Sequence, residues 1–385
     1  MKAFVLDATW DPRPDYAPSA LELETRRANV GSSVWRHLTS SYREIDRPKP
    51  GPDDVIIKQR RVGFCGSDMH FFESDADGYI KYPGLTRFPS VLGHELAGDV
   101  VEVGGDVTHI KVGDPVTIED MVRCGTCLPC RINQPNFCEN LDEVGFSING
   151  GFAEYVRVPA RNCWNIAAIR PRVDSEAELY DCGALVEPFT VVYNALFIAA
   201  GGFSPGAYAV VHGGGPIGLA SVAMLRACGA SKILVFEVTA ERRALALKMG
   251  ADAAYDPTSV RAAEVVMTET GGQGADVQVE AAGAFTHTFP AMEDAVSLLG
   301  KIVVIGRDAA RVSIYPEPLQ VKRGVIVLAK GNAGMGIYPN VLRLMASGRL
   351  DPRPMITAKF PFGEIPKALE TSKARGHGKI LIDVA

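Results

Sequence analysis

A basic block is missing from this 385-residue chain: 40 Lys and Arg stand against 45 Asp and Glu, dispersed, for a net charge of −5. Without a cationic patch or stripe, neither nucleic acid nor an anionic membrane is an expected partner. The opening residues, MKAFVLDATWDPRPDY, lack the basic-then-apolar order of a secretory leader. Residues 188–225 lack Lys, Arg, Asp and Glu altogether, yet Gly201-Gly202, Pro205-Gly206 and Gly213-Gly214-Gly215-Pro216 interrupt them. No run there is expected to reach the roughly 18 apolar residues of a membrane span. Repeats and low-complexity tracts are also missing. Hydrophobic residues at 47% and charged residues at 22% are globular values, which exclude disordered and fibrous classes. Eight cysteines without a leader point to thiolates and metal rather than disulfides, and to the cytoplasm.

At roughly 150 residues per domain the length suits two domains. In the first half, short strand-like pieces at 55–57 and 99–103 are punctuated by Gly98, Gly104-Gly105 and Gly113-Asp114-Pro115, the texture of a small β-rich domain. After Glu187 the pattern changes. Strand-like 207–211, 233–236, 276–280, 302–305 and 325–328 alternate with helical stretches at 217–228, 241–249 and 292–299, which predicts a parallel sheet built from βαβ units. Beyond Lys330 the alternation lapses, and the chain ends in the strand-like 379–382.

Gly213, Gly215 and Gly218 have G-x-G-x-x-G spacing, with Pro216 and Ile217 between the last two, directly after a strand and opening a helix. The first glycine permits the turn, the second lets backbone approach a pyrophosphate, and the third lets helix and strand close up. Glu237 ends the following strand, 19 residues after Gly218, where a carboxylate accepts from ribose hydroxyls and repels a 2′-phosphate. The pattern predicts NAD rather than NADP. Arg242 either lies along the adenine or is a solvated helix residue; His212 reads as structural.

Cys124, Cys127, Cys130 and Cys138 form C-x2-C-x2-C-x7-C. Four thiolates so close can surround a structural Zn²⁺. A disulfide pair or a redox C-x-x-C competes, whereas an iron–sulfur cluster would need a C-x3-C-P run that is missing. A second, dispersed set comprises Cys65, Ser67, Asp68 and His70 in GFCGSDMH, His94 and Glu95 in GHE, and Glu187 in LVEP. Cysteine, histidine and carboxylate leave a coordination position open on zinc, although spacing alone does not join Cys65 to His94 or Glu187.

GFCGSD-x-H, GHE-x-x-G, the four-cysteine lobe, LVEP, GGGPIG and Glu237, in that order, resemble the zinc-dependent medium-chain dehydrogenase/reductase family over nearly the whole length. The resemblance implies an α/β fold in which a Rossmann doubly wound sheet, residues 189–328, is inserted in a GroES-like β-rich catalytic domain, residues 1–188 and 329–385. It implies NAD and two zinc ions per chain, one catalytic and one structural. Cys65 and His94 match catalytic zinc ligands, with Glu95 and Glu187 as the remaining candidates. Asp68 matches the carboxylate that orients His94, and Ser67 and His70 match the relay that carries the hydroxyl proton away while hydride passes to the nicotinamide. A homodimer or homotetramer is implied.

Some two dozen extra residues precede Cys65. There DATWDPRPDY and GSSVWR, with GYIKYPGLTRFP, EDM-x-RCG-x-C-x-PC and LMASG further on, look like a branch of the family that acts on cyclitols of the scyllo-inosose type. That branch carries a histidine in the loop that reads GNAGMG here, residues 331–336. A small-molecule cyclitol or sugar-like polyol is therefore the expected substrate, with L-threonine or a linear polyol as alternatives and a non-catalytic family member more remote. Trp10, Asp11, Arg13 and Trp35 of the extra segment either pack on their own domain or a neighbouring subunit, or rim the site. Cys163, Cys182 and Cys228 read as small buried residues, and His37, His109, His287 and His377 as surface or satisfied polar ones.

Overall fold

A computed structural model describes residues 1–308 and 310–384. The chain divides into two compact units, one of residues 1–187, 358–373 and 380–385, the other of residues 188–357 and 374–379. The first division falls one residue from expectation. The second does not: residues 329–357 belong with the second unit. The Ile337–Ala346 helix there buries Ile337, Tyr338, Val341, Leu342 and Met345. Asn194 donates to the carbonyls of Lys330 and Gly331, and Asn340 to the Tyr193 hydroxyl, tying this segment to the chain just after residue 188.

The first unit is built on a largely antiparallel sheet. Its strands run in the order Cys163–Asn165, Pro115–Ile118, Glu95–Val103, Asp54–Gly63, Lys379–Asp383 and Ile356–Pro361, with Tyr155–Pro159 also pairing Asp54–Gly63. Asp54–Gly63 is central, and Val55, Ile56, Ile57 and Val62 along it are fully buried. A separate hairpin pairs Lys2–Trp10 with Trp35–Glu44, so the extra segment is the excursion of residues 11–34 between its strands. Trp10 and Trp35 face each other across its end, their rings edge-on with centroids 5.0 Å apart. Such cross-strand aromatic pairs stabilise a hairpin beyond their area. Trp35 (3% exposed) also meets Phe88 edge-on. The tryptophans therefore serve packing.

The second unit holds a six-stranded parallel sheet in the order Ala253–Tyr255, Lys232–Phe236, Tyr208–His212, Ala275–Glu280, Val296–Val304 and Val325–Leu328. Numbered along the chain this is 3-2-1-4-5-6, the doubly wound nucleotide-binding order, with its switch point beside Tyr208–His212. One expectation fails here. The helix placed at 292–299 ends at Asp294, because residues 296–304 are strand, and alternation across a strand entrance mimics helical spacing. The helix Glu176–Ala199, 24 residues, is long and apolar enough by length and composition to cross a membrane; it begins upstream of the uncharged run and covers only residues 188–199 of it. Most of it is buried inside the protein, as in a core helix.

Trp35→Ala removes the ring that joins the hairpin to the core and should destabilise the chain by about 3–5 kcal/mol. The check is the denaturant midpoint, which should fall with an unchanged slope.

Candidate active site

Strand pairing assembles the dispersed set. Gly63, at the end of the central strand, lies opposite Glu95, and Val62 opposite Leu96. Two residues after Gly63, Cys65 caps the Gly66–Phe72 helix; immediately before Glu95 stands His94. A Cβ on Gly63 would come within 2.1 Å of Glu95 Oε2, so only glycine lets the carboxylate fold over the partner strand. The other glycines of the motif act similarly. Gly93 has φ +94°, and a Cβ on Gly98 would lie 2.1 Å from the Lys58 carbonyl.

The donor atoms of Cys65, His94 and Glu95 lie within 4.8 Å of one another. His94 and Glu95 are buried, as is Glu187, which stands outside this close set on the Val186–Tyr193 helix. Of the two carboxylates left open by the sequence, the structure thus brings Glu95 to Cys65 and His94. Asp68 is fully buried and works with both oxygens: Oδ2 accepts from the Cys65 backbone N–H at 3.0 Å, and Oδ1 faces His94 Nδ1 at 3.6 Å. At that length the second contact is charge-to-charge rather than a hydrogen bond. Burial opposes charge on His94, but the charges of Asp68 and Cys65 outweigh it and hold its pKa well above the ordinary value. A pocket that draws a proton onto a buried imidazole favours a cation, and a soft–borderline–hard trio with a carboxylate behind the histidine is a zinc donor set.

Ser67 and His70 ride the same helix. Ser67 Oγ is enclosed and has no protein hydrogen-bond partner. His70 is half-exposed, its Nδ1 3.5 Å from Glu73 Oε2. The helix thus places an unsatisfied hydroxyl inward and an imidazole at water.

In the four-cysteine lobe all sulfurs lie within 4.8 Å of one another, and Cys127 Sγ and Cys138 Sγ are 3.8 Å apart. Ligands at 2.3 Å on a tetrahedral zinc stand about 3.8 Å from each other, whereas a disulfide requires about 2.05 Å. Cys124 Sγ accepts from the backbone N–H groups of Thr126 and Cys127, which hold its pKa down to about 5. Burial pushes Cys130 up to about 12 and Cys138 also upward. The four become thiolates together only around a cation, so the lobe fits zinc.

The second unit carries the glycine loop. Gly213 has φ +100°, and a Cβ on Gly218 would come within 1.9 Å of the Gly213 carbonyl. Gly215 caps the Pro216–Ala227 helix, whose first turn includes Ile217 and whose free N–H groups suit a pyrophosphate. Glu237 is locked in place: Oε2 accepts from the Gly214 N–H at 2.6 Å and Oε1 from that of Thr239 at 2.8 Å. It lines a cleft of about 660 Å³ together with Gly213, Gly215 and Arg242, which fits the adenosine half of a dinucleotide. Arg242 is not simply solvated. Its Nε donates to the His377 carbonyl, and burial lowers its pKa while Glu237 opposes.

Several residues of this cleft carry no motif. His287, Thr258 and Arg375 line it, and His377 supports Arg242. Glu280 accepts from the backbone of Ala282 and Gly283 and so shapes the turn that forms another wall; burial raises its pKa. Its place at a strand end after an apolar run was the available signal. His212 lines the cleft as well, stacked on Phe236, and burial depresses its pKa to about 4.

With this geometry in place, the comparisons with known proteins agree. Residues 51–168 match the alcohol dehydrogenase GroES-like domain, and residues 216–347 the zinc-binding dehydrogenase domain. The scyllo-inosose 3-dehydrogenase of Thermotoga maritima is 40% identical over 97% of this chain and 98% of its own. The L-threonine 3-dehydrogenase of Pyrococcus abyssi is 35% identical over 88% of this chain and 93% of its own. A solved Thermotoga maritima structure described as an alcohol dehydrogenase superposes with a TM-score of 0.95, 38% identity and complete coverage of both chains.

The His212 environment has a thermodynamic consequence. Below about pH 6.5 the unfolded chain binds a proton that the folded chain refuses until about pH 4. Stability should therefore fall across that window, by on the order of 2–3 kcal/mol at pH 4.5. Denaturant midpoints of the wild type and His212→Gln at pH 7 and 4.5 isolate the effect; a wild-type-minus-variant difference independent of pH would refute it. From the two zinc donor sets, the glycine loop and these matches, the chain belongs to the zinc-binding medium-chain alcohol dehydrogenase family and is an NAD(P)-type oxidoreductase.

Proposed function

We propose that the chain oxidises a ring secondary alcohol of a cyclitol, of the scyllo-inosose type, with NAD. The observation that carries this is the 40% identity with a scyllo-inosose 3-dehydrogenase over 97% of this chain and 98% of that one. L-Threonine is the second reading, favoured by the 35% identity of the Pyrococcus abyssi enzyme.

Cys65, His94 and Glu95 would hold the catalytic ion, with Glu187 in reserve for a change of ligand, and the four-cysteine lobe a second, structural one. Zinc bound there supplies Lewis acidity that lowers the pKa of a substrate hydroxyl. Asp68 keeps His94 oriented. Ser67 Oγ, enclosed and without a protein hydrogen-bond partner, would take the hydroxyl proton, and His70, half-exposed on the same helix, would give it to water. The carbon loses hydride to the nicotinamide, so one alcohol and NAD⁺ become one ketone, NADH and a proton. Glu237 selects NAD: fixed by two backbone N–H groups, it keeps lone pairs for ribose hydroxyls and repels a 2′-phosphate. Eight cysteines, none in a disulfide among the described residues, suit a cytoplasmic setting.

A homo-oligomer is part of this proposal. The edge strand Val325–Leu328 exposes Leu328 (74%), with Val321 (76%) and Leu298 (71%) also exposed on the neighbouring elements. Exposed apolar side chains at the edge of a sheet ask for a partner. Light scattering on the purified protein should give a dimer or tetramer; a monomer at micromolar concentration would refute it.

The functional test is NADH formation by zinc-loaded protein with scyllo-inosose, myo-inositol, sorbitol and L-threonine, with NADP in parallel. Turnover of cyclitols with NAD is expected, and turnover of threonine alone would overturn the substrate. Cys65→Ser should abolish turnover and remove one zinc per chain while NAD still binds. Glu237→Ala should weaken NAD by about tenfold, the worth of a charge-assisted hydrogen bond.

A further inference from the structure

Part of the excursion of residues 11–34 pairs elsewhere, as Arg27 does with Asp142, but one group of its polar contacts, with the first residues of the returning strand, converges on the segment that follows the Gly66–Phe72 helix. Arg13 is ion-paired to Asp75, and its guanidinium lies 3.9 Å from the centroid of the Tyr79 ring. Arg36 lies over the same ring at 4.9 Å, donates through Nε and Nη2 to the Asp77 carbonyl, and is ion-paired to Asp11. Arg36 and Tyr79 are also bridged through their backbones, and the Ile80 N–H donates to the Trp35 carbonyl. Asp75 in turn accepts from the backbone N–H groups of Asp77 and Tyr79, closing the segment into a tight turn.

What the turn carries is Lys81. Its backbone N–H donates to the carbonyls of both His70 and Glu73, so it is docked on the end of the relay helix. Its Nζ lies 3.7 Å from Glu73 Oε2, the same oxygen that stands 3.5 Å from His70 Nδ1. His70 therefore faces one carboxylate whose charge a lysine shares. The Ile365–Lys373 helix also packs against the relay helix, but its charged Lys367 and Lys373 pair with Glu364 and Glu370 of their own segment.

We propose that the excursion is a positioning device for proton release: Arg13 and Arg36 clamp Tyr79 and thereby hold Lys81 on Glu73 beside His70. This rests on the relay role of His70 proposed above. In alcohol oxidation His70 must be neutral to accept a proton, so kcat rises with pH through its titration. The Glu73 carboxylate faces the His70 ring, and the Lys81 ammonium shares its charge. Opening the clamp releases Lys81 and leaves Glu73 unshared, so the acid limb moves to higher pH. Such half-exposed pairs are modest, and the shift should be about 0.3–0.5 pH unit, a two- to threefold loss of kcat on the acid side with the plateau retained.

The experiment measures kcat against pH for full-length, zinc-loaded Arg13→Ala/Arg36→Ala, Arg13→Lys/Arg36→Lys, Lys81→Met and His70→Asn, alongside NMR titration of the His70 imidazole. The double alanine variant and Lys81→Met should share the upward shift, the double lysine variant should recover most of it, and KM for NAD should not move. A uniform fall in kcat at every pH in the double alanine variant, or an unmoved limb where Lys81→Met moves it, overturns the proposal. If His70→Asn leaves the acid limb in place, the relay role fails instead. The imidazole titration then decides the clamp on its own: its midpoint must rise in the double alanine variant, and an unchanged midpoint refutes the clamp.

Discussion

The pairing of Gly63 with Glu95 is the constraint on which the candidate zinc site depends. An antiparallel register puts the end of one strand against the start of another, and a missing Cβ lets a carboxylate lie where a side chain would otherwise stand. From that contact follow the approach of Cys65 to His94 and the gathering of three donors, His94 and Glu95 buried and Cys65 partly so. Asp68 then completes the arrangement by joining two tasks, capping the helix that Cys65 begins and turning His94. A slip of one residue in this register would send Glu95 to the opposite face of the sheet and separate the donors.

Two kinds of electrostatic preparation coexist in the chain. The two candidate zinc sites gather donor atoms and are incomplete, so that a cation would settle them. The dinucleotide site is complete in itself: Glu237 is already satisfied by two N–H groups, Gly214 and Thr239, and keeps its orientation whether or not a ribose is present. His212 shows the same economy, a buried imidazole that stays neutral and offers a flat surface rather than a charge. Folding supplies the orientation in the one case, and the bound ion completes it in the other.

Much of this was legible in the sequence because it is local. The glycine loop, the four-cysteine lobe and the strand–helix alternation from 207 to 249 each occupy one short stretch whose spacing already implies its geometry. What crossed the chain was not legible. Nothing in the spacing could rank Glu95 against Glu187, since the decision lies in a strand register. Residues 329–357 carry no alternation; the burial of one face of the Ile337–Ala346 helix and the hydrogen bonds of Asn194 and Asn340 go with their place in the second unit. His287 and Arg375 reach the dinucleotide cleft from segments that show no motif. Trp10 and Trp35, ambiguous as single residues, became interpretable once they were seen opposite each other across a hairpin.

The Gly66–Phe72 helix has only seven residues, and its two faces have opposite duties. Ser67 and His70, three apart, are the proposed relay pair; Asp68 and Phe71, also three apart, share the face that is fully buried. Each residue advances the helix by about 100°. Inserting or deleting one residue here would rotate the histidine into the core and bring the aspartate toward water, with no partial version of the error. This stretch can therefore drift by substitution but not by length, and variation in chain length has to be accommodated elsewhere, as it is in the excursion between the hairpin strands.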